Sequence, residues 1–166
     1  MLSARSELQA TEQAGALLNP EQLTLFTQLM PGERYHAVMM VRKLIEQGVR
    51  QQDLLVAALL HDVGKLRYPL NPFERAMVVL VKAIKPRQAR RWGSLPPNGW
   101  QGVPTWRKPF VLAEQHASWG AEMARGAGVS PLTEVLIREH HHPHVDGKDD
   151  MENSLLHKLW VVDNES

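Results

Sequence analysis

The chain has 166 residues, no cysteine and a formal net charge of +1 at pH 7, with 43% hydrophobic and 22% charged residues. This composition is ordinary for one globular domain, and the lack of cysteine excludes both a disulfide framework and a thiolate metal site. Apolar stretches are far shorter than the roughly 20 residues that cross a bilayer, and the first residues lack the apolar core of a signal peptide, so we expect a cytoplasmic protein.

Helical periodicity dominates, and no segment shows the alternation of a strand. We interpret residues 1–18 as a loosely attached polar arm or short helix, and residues 19–166 as the domain proper. Asn19 before Pro20 is a typical helix start, and that helix is expected to end near Met30. Further helices are predicted over residues 33–48, 53–64, 72–85, 109–125, 131–142 and from about 148 onward. The sequence therefore predicts an all-α, single-domain bundle of about six to seven helices.

Residues 86–108 interrupt the helical pattern. The segment contains Pro-Pro-Asn-Gly at 96–99, and three tryptophans, Trp92, Trp100 and Trp106, lie among basic groups. A long irregular segment inside a compact domain is usually functional or mobile. We interpret it as a flap over the functional site, with simple surface packing as the alternative.

The charges are distributed unevenly around this segment. No acidic residue occurs between Glu74 and Glu114. The same interval holds eight cations: Arg75, Lys82, Lys85, Arg87, Arg90, Arg91, Arg107 and Lys108. Such a block favours an anionic partner, although a solvated basic face explains it equally well.

The adjacent pair His61 and Asp62 is the most informative feature of the chain. It follows the uninterrupted apolar run at 54–60, which is typical of a core helix. Burying a carboxylate and an imidazole costs free energy unless a partner compensates them. A divalent metal ion bound by both side chains would do so.

Other ligand-type residues each border the apolar face of a different predicted helix. They are His36, His116, His140 and Asp163. A helical bundle builds an interior metal site in this way, from side chains on facing helices. Each residue alone is better explained as a structural hydrogen-bonding group, and we interpret His144 and His157 so.

Five segments together resemble a known family. They read RYH at 34–36, AALLHDVGK at 57–65, EQHASWGA at 114–121, LIREHH at 136–141 and VVD at 161–163. Over residues 31–163 the chain resembles the HD-domain superfamily of metal-dependent phosphohydrolases. The resemblance implies a small stand-alone protein with the helical HD-domain fold. The segment at 57–65 is its most specific part.

The resemblance also implies a ligand set. One metal would be held by His36, His61, Asp62 and Asp163. A second metal, in dinuclear members, would be held by His116 and His140, with Asp62 bridging the two ions. The residue spacing from Ile137 favours His140, whereas the spacing from Asp146 favours His141, which is the second choice. The ions would be divalent, one or two in number, and drawn from Mn, Fe, Ni, Co, Mg or Zn.

The implied activity is hydrolysis of a phosphoester or phosphoanhydride by metal-activated hydroxide, on a nucleotide or a small phosphorylated metabolite. Asp62 would orient the water. Lys65 would neutralise charge on the phosphoryl oxygens, unless it only opposes a helix dipole. Arg34 is a candidate for a further phosphate contact. Lys148 follows Gly147 where the cyclic-dinucleotide phosphodiesterases have tyrosine, which argues against that substrate class.

Several alternatives stay open. Some proteins of this fold hold two irons and oxidise their substrates with oxygen, and others could bind metal or nucleotide without turnover as signalling modules. Nucleic acid could stack on the tryptophans of the basic interval, and a membrane could contact the helix at 73–80. We rank both partners below a small phosphorylated substrate. The oligomeric state is left open.

Overall fold

A computed structural model describes residues 4–165, with side chains from residue 10 onward. Nine α-helices and no strand occur in this part of the chain. They are α1 Ala4–Gly15, α2 Pro20–Gln28, α3 Pro31–Glu46, α4 Gln52–Leu60, α5 Pro72–Ile84, α6 Pro86–Gly93, α7 Lys108–Gly126, α8 Pro131–Glu139 and α9 Asp150–Glu165. The predicted all-α class is confirmed. The helix count exceeds the prediction because the predicted arm and the predicted flap each contain a helix.

The helices are distributed between two compact units. The first comprises the chain up to Gly64 together with the chain from Ala117 onward, and the second is Lys65–His116. The boundary therefore falls inside α7. None of the described helices is long and apolar enough to cross a bilayer.

Side-chain caps fix the starts of two helices in the first unit. The Asn19 side chain accepts a hydrogen bond from the Gln22 backbone, and the Gln22 side chain accepts one from the Asn19 backbone. The Ser130 hydroxyl accepts a hydrogen bond from the backbone N–H of Thr133 at 3.0 Å. These caps satisfy N–H groups that have no partner inside the helix. The predicted starts at Pro20 and Pro131 are thereby confirmed.

Helix α4 is the centre of the first unit. It packs against α2, α3, α8 and α9, and every residue from Leu54 to Leu60 is buried. Burial on all sides explains why residues 54–60 of this helix are all apolar and show no polar face. His61 directly follows the last turn of α4 and lies in the interior of the unit, where its side chain is only 1% exposed.

The described part of the N-terminal segment is helical. Residues 4–15 form α1, which packs against α2 and α3. Ala10 and Ala14 are buried, and so is Leu18 after the helix. These small apolar residues lie where α1 packs, and the division into an arm at 1–18 and a domain at 19–166 stays a prediction. Residues 1–3 of the predicted arm lie outside the described residues.

The second unit has a small core of its own. It is formed by Val78 of α5, Ala89 of α6 and Phe110 of α7. Helix α5 begins at a capping box in which Asn71 and Glu74 satisfy each other's backbone N–H groups. Burying these apolar side chains holds α5 and α6 together.

The predicted irregular flap at 86–108 is partly regular. Its first eight residues are α6, which Pro86 begins at the first helical position. The Arg107 guanidinium donates hydrogen bonds to the carbonyls of Trp92 at 3.0 Å and Ser94 at 2.7 Å, tying the end of the segment to α6. Closure of this segment over a site stays a prediction.

Candidate metal centre

Three helices of the first unit bring their ligand-type side chains together. His36 lies in α3, His61 directly follows α4, and Asp163 lies in α9. One ligand atom from each residue lies within 4.8 Å of the others. Because α3, α4 and α9 pack against one another, the meeting of these side chains follows from the helix packing.

Asp163 is the residue that joins the two histidines. Its Oδ1 atom lies 3.0 Å from Nε2 of His36 and 3.4 Å from Nε2 of His61. Oδ2 of Asp62 lies 3.4 Å from the same nitrogen of His61. Contacts of 3.0–3.4 Å therefore link the four predicted ligands of the first ion, which are His36, His61, Asp62 and Asp163.

Backbone carbonyls hold two imidazoles in place. Nδ1 of His61 lies 2.9 Å from the carbonyl oxygen of Ala58, and Nδ1 of His140 lies 2.7 Å from that of Ile137. A carbonyl oxygen only accepts, so Nδ1 carries the hydrogen in both rings. In the neutral ring Nε2 then keeps its lone pair, which is how metal-binding histidines are usually oriented. Sequence reasoning missed these carbonyls. The signal was available, because the last carbonyls of a helix have no partner inside it.

The donor set fits a divalent ion. Imidazole nitrogen and carboxylate oxygen lie about 2.0–2.2 Å from zinc and similar ions, which places two ligand atoms of one ion about 3.0–3.5 Å apart. The separations of 3.0 and 3.4 Å from Asp163 Oδ1 to the two histidine nitrogens agree with this range. The same distances suit hydrogen bonds when a proton takes the place of the ion.

Charge interactions at the site change the ionisation of His61 and Asp163. Burial by itself would lower the pKa of His61, but the carboxylates of Asp62 and Asp163 outweigh it and raise this pKa to about 10. Burial would raise the pKa of Asp163, but hydrogen bonds from His36 and His61 hold this pKa well below its ordinary value. Without metal, the raised pKa of His61 favours its protonated form at neutral pH, and an ion bound there would have to displace that proton.

The stability of the metal-free protein should depend on pH accordingly. His61 binds its proton more tightly when folded, with a pKa of about 10 against an ordinary value of 6.5. The contribution of His61 to the free energy of unfolding is complete below pH 6.5 and is lost as the pH rises towards 10. Asp163 contributes above its ordinary pKa of 3.8, and this contribution is lost as pH falls further.

We therefore expect the free energy of unfolding in chelator to fall between pH 7 and pH 9. Urea unfolding followed by circular dichroism measures it. The His61→Asn variant should show a weaker decrease than the wild type. A wild-type stability that rises over this interval would contradict the charge assignment.

Three further histidines, His116, His140 and His141, are the candidate ligands of a second ion. His140 is completely buried, and its ring centroid lies 5.1 Å from that of His61. His141 is exposed, and its ring lies 4.0 Å from that of His140. His116 is the last residue of the second unit; it is buried, and its Nδ1 lies 3.1 Å from the Leu112 carbonyl oxygen. The pairing of His116 with His140 or His141 stays a prediction.

The two predicted phosphate-binding residues have different surroundings. The Arg34 guanidinium donates a hydrogen bond to the Thr27 carbonyl at 2.7 Å, which joins α3 to α2. Lys65 is half-buried in the 3₁₀ segment Val63–Arg67. A phosphate contact of either residue stays a prediction.

Gly120 lets α7 approach the backbone beside His61. A Cβ atom at this position would lie 3.1 Å from the nitrogen of Gly64 and 3.4 Å from the carbonyl oxygen of His61. The nearest obstacle is backbone, which cannot rotate away as a side chain can. The lack of a side chain at Gly120 thus allows α7 to lie close to the backbone of His61 and Gly64.

Gly120→Ala should therefore be less stable than a matched Gly126→Ala variant, which adds its methyl group to open space on the same helix. We expect the difference in free energy of unfolding to be about 1–3 kcal/mol, the usual cost of overpacking. Urea unfolding of both variants measures it. Equal stabilities would show that the close approach at Gly120 does not constrain the site.

The comparisons with known proteins are all negative. No protein-family model matches the chain, and neither a curated protein nor a solved structure matches it.

Proposed function

We propose that the protein is a metal-dependent phosphohydrolase of the HD-domain type, acting on a phosphoester or phosphoanhydride of a nucleotide or small phosphorylated metabolite in the cytoplasm. The observation that carries the proposal is the meeting of His36, His61 and Asp163 from three helices within one unit. The motif residues over 31–163 support the same interpretation.

We assign the first ion to His36, His61, Asp62 and Asp163. A second ion is assigned to His116 and His140, with His141 as the second choice. A bound divalent ion would supply a Lewis acid and a source of hydroxide near neutral pH.

The side chains of the site have distinct proposed roles. Asp62 accepts a hydrogen bond from the attacking water and so orients it. The Ala58 carbonyl keeps the His61 ring in the tautomer whose Nε2 can bind metal. Burial of His61 and Asp62 keeps bulk water from weakening their electrostatic interactions. Lys65 and Arg34 are proposed to bind phosphoryl oxygens.

A phosphate-release screen tests this function. The chain is treated with chelator, dialysed, and assayed on nucleotides and sugar phosphates with manganese, cobalt, nickel or magnesium. We expect release that requires one of these metals. Asp146→Asn, which changes a fully exposed carboxylate, is the control and should keep full activity.

Two results would replace this proposal with another. Ferric charge-transfer absorbance together with oxygen consumption would indicate a di-iron oxygenase. Tight binding of a nucleotide with no product under any metal would indicate a binding module.

A further inference from the structure

Helix α5 has two apolar faces, of which only one is used inside the second unit. Val78 is buried in the core of that unit, and Val81 packs against it. Phe73, Leu80 and Ile84 are 77%, 59% and 65% exposed. These three positions lie on one line along the helix, roughly a third of a turn from Val78 and Val81. We call Phe73, Leu80 and Ile84 the α5 stripe.

A cluster of cations follows the α5 stripe directly. Ile84 is the last residue of α5, and Lys85, Arg87, Arg90 and Arg91 come next, in and before α6. We call these four residues the α6 cations. They are all exposed. Ala89 faces the core of the unit, so the three arginines, at i, i+3 and i+4, share another face of α6.

The α6 cations differ from the other cations of the basic interval. Lys82 pairs with Glu114 at 3.1 Å, and Arg107 donates to backbone carbonyls. Lys108 lies over the rings of Tyr68 and Trp100. Within the described part of the chain, the α6 cations form no ion pair or side-chain hydrogen bond. Four charges are therefore available to an anionic partner.

We propose that the α5 stripe and the α6 cations form a docking surface for an anionic phospholipid membrane. Large apolar side chains enter the boundary between headgroups and acyl chains, while neighbouring cations attract the lipid phosphates. Helix α5 has 13 residues, too few to cross a bilayer, so it would lie in the plane of the surface.

Charge argues for a membrane over a second copy of this chain. A symmetric contact through the α5 stripe would bring the α6 cations of two copies close together. Like charges at an interface disfavour association. No acidic residue of the basic interval is available to offset them, since Glu74 and Glu114 only flank it. This surface does not depend on the metal site or on the proposed hydrolysis.

Vesicle flotation of the full chain tests the proposal. We expect binding to vesicles of phosphatidylcholine mixed with phosphatidylglycerol, little binding to phosphatidylcholine alone, and weaker binding at high salt. Arg91→Gln should weaken binding to the mixed vesicles about fivefold, the effect of one cation near an anionic surface. Lys158→Gln removes an exposed cation of the first unit and should leave binding unchanged.

The α5 stripe has its own matched pair of variants. Leu80→Ser should weaken vesicle binding about tenfold by removing buried apolar area. Met151→Ser, at a 54% exposed position of α9, should not change it. Circular dichroism checks the fold of each variant. If Leu80→Ser is misfolded, the vesicle binding of Arg91→Gln alone tests the docking surface.

Two results would overturn the proposal. Absent binding to the mixed vesicles, or equal binding to both vesicle types, would remove the role of lipid charge. A wild-type dimer in sedimentation velocity that Leu80→Ser dissociates, with no vesicle binding, would show that a second copy covers the α5 stripe.

Discussion

Replacing Asp163 with asparagine is expected to lower kcat/KM for metal-dependent phosphate release by at least about a hundredfold, beyond the 10–100-fold effects known for residues that only support metal ligands. Asparagine has nearly the same shape but lacks the negative charge. Asp163 Oδ1 lies 3.0 Å from His36 Nε2 and 3.4 Å from His61 Nε2, so it is near both histidines. An ion held by the two histidines would therefore lie beside this negative charge.

Two comparisons make the Asp163→Asn result specific. Asp146→Asn changes the same chemical group at an exposed position and should retain wild-type kcat/KM. Far-ultraviolet circular dichroism of both variants should match the wild type. Phosphate release that survives in Asp163→Asn, at wild-type metal dependence, would place the active centre elsewhere.

Removing bound metal is expected to lower the unfolding temperature by about 10 °C. An ion at about 1,000 times its dissociation constant stabilises the folded state by about 4 kcal/mol. For a chain of this size each kcal/mol corresponds to about 2–4 °C. A bound ion would also offset the charges of Asp62 and Asp163, whose carboxylate oxygens lie 3.4 Å from His61 Nε2 and 3.0 Å from His36 Nε2 respectively.

Differential scanning fluorimetry with chelator and with added manganese or nickel measures this shift. The metal should be without effect on Asp163→Asn, because the group that joins the ligands has lost its charge. An equal rise in unfolding temperature for wild type and Asp163→Asn would mean that metal stabilises the fold through other residues.

The sequence was most informative where local chemistry decides the structure. Asn19 before Pro20 and Ser130 before Pro131 predicted helix starts, since caps act on backbone N–H groups a few residues away. The apolar run at 54–60 predicted a core helix, and α4 is that helix. These signals need no knowledge of the rest of the chain.

Burial of individual faces was harder to predict, because it depends on distant packing. The sequence of α1 is polar overall, yet α1 packs against neighbouring helices and its Ala10 and Ala14 are buried. Residues 86–93 carry three arginines and only two apolar side chains besides the proline, so the core position of Ala89 could not be predicted from the sequence.

In the candidate site, too, local features could be predicted from the sequence, whereas features that depend on helix packing could not. The pair His61 and Asp62 could be singled out because imidazole and carboxylate follow a core helix. Periodicity placed His36 and Asp163 beside apolar faces but gave no distance between them. The distance of 3.0 Å between His36 Nε2 and Asp163 Oδ1 depends on how α3 and α9 pack. The family resemblance implied that His36 and Asp163 bind the same ion, which helical periodicity alone did not indicate.

Elemental analysis of the purified chain is the most direct test of the central claim, that His36, His61 and Asp163 hold a divalent ion. Wild-type protein, Asp163→Asn and Asp146→Asn are purified side by side, loaded with manganese, nickel or iron, and desalted. We predict at least one ion per chain in the wild type and in Asp146→Asn, and clearly less in Asp163→Asn. Equal metal content in all three proteins would contradict the claim.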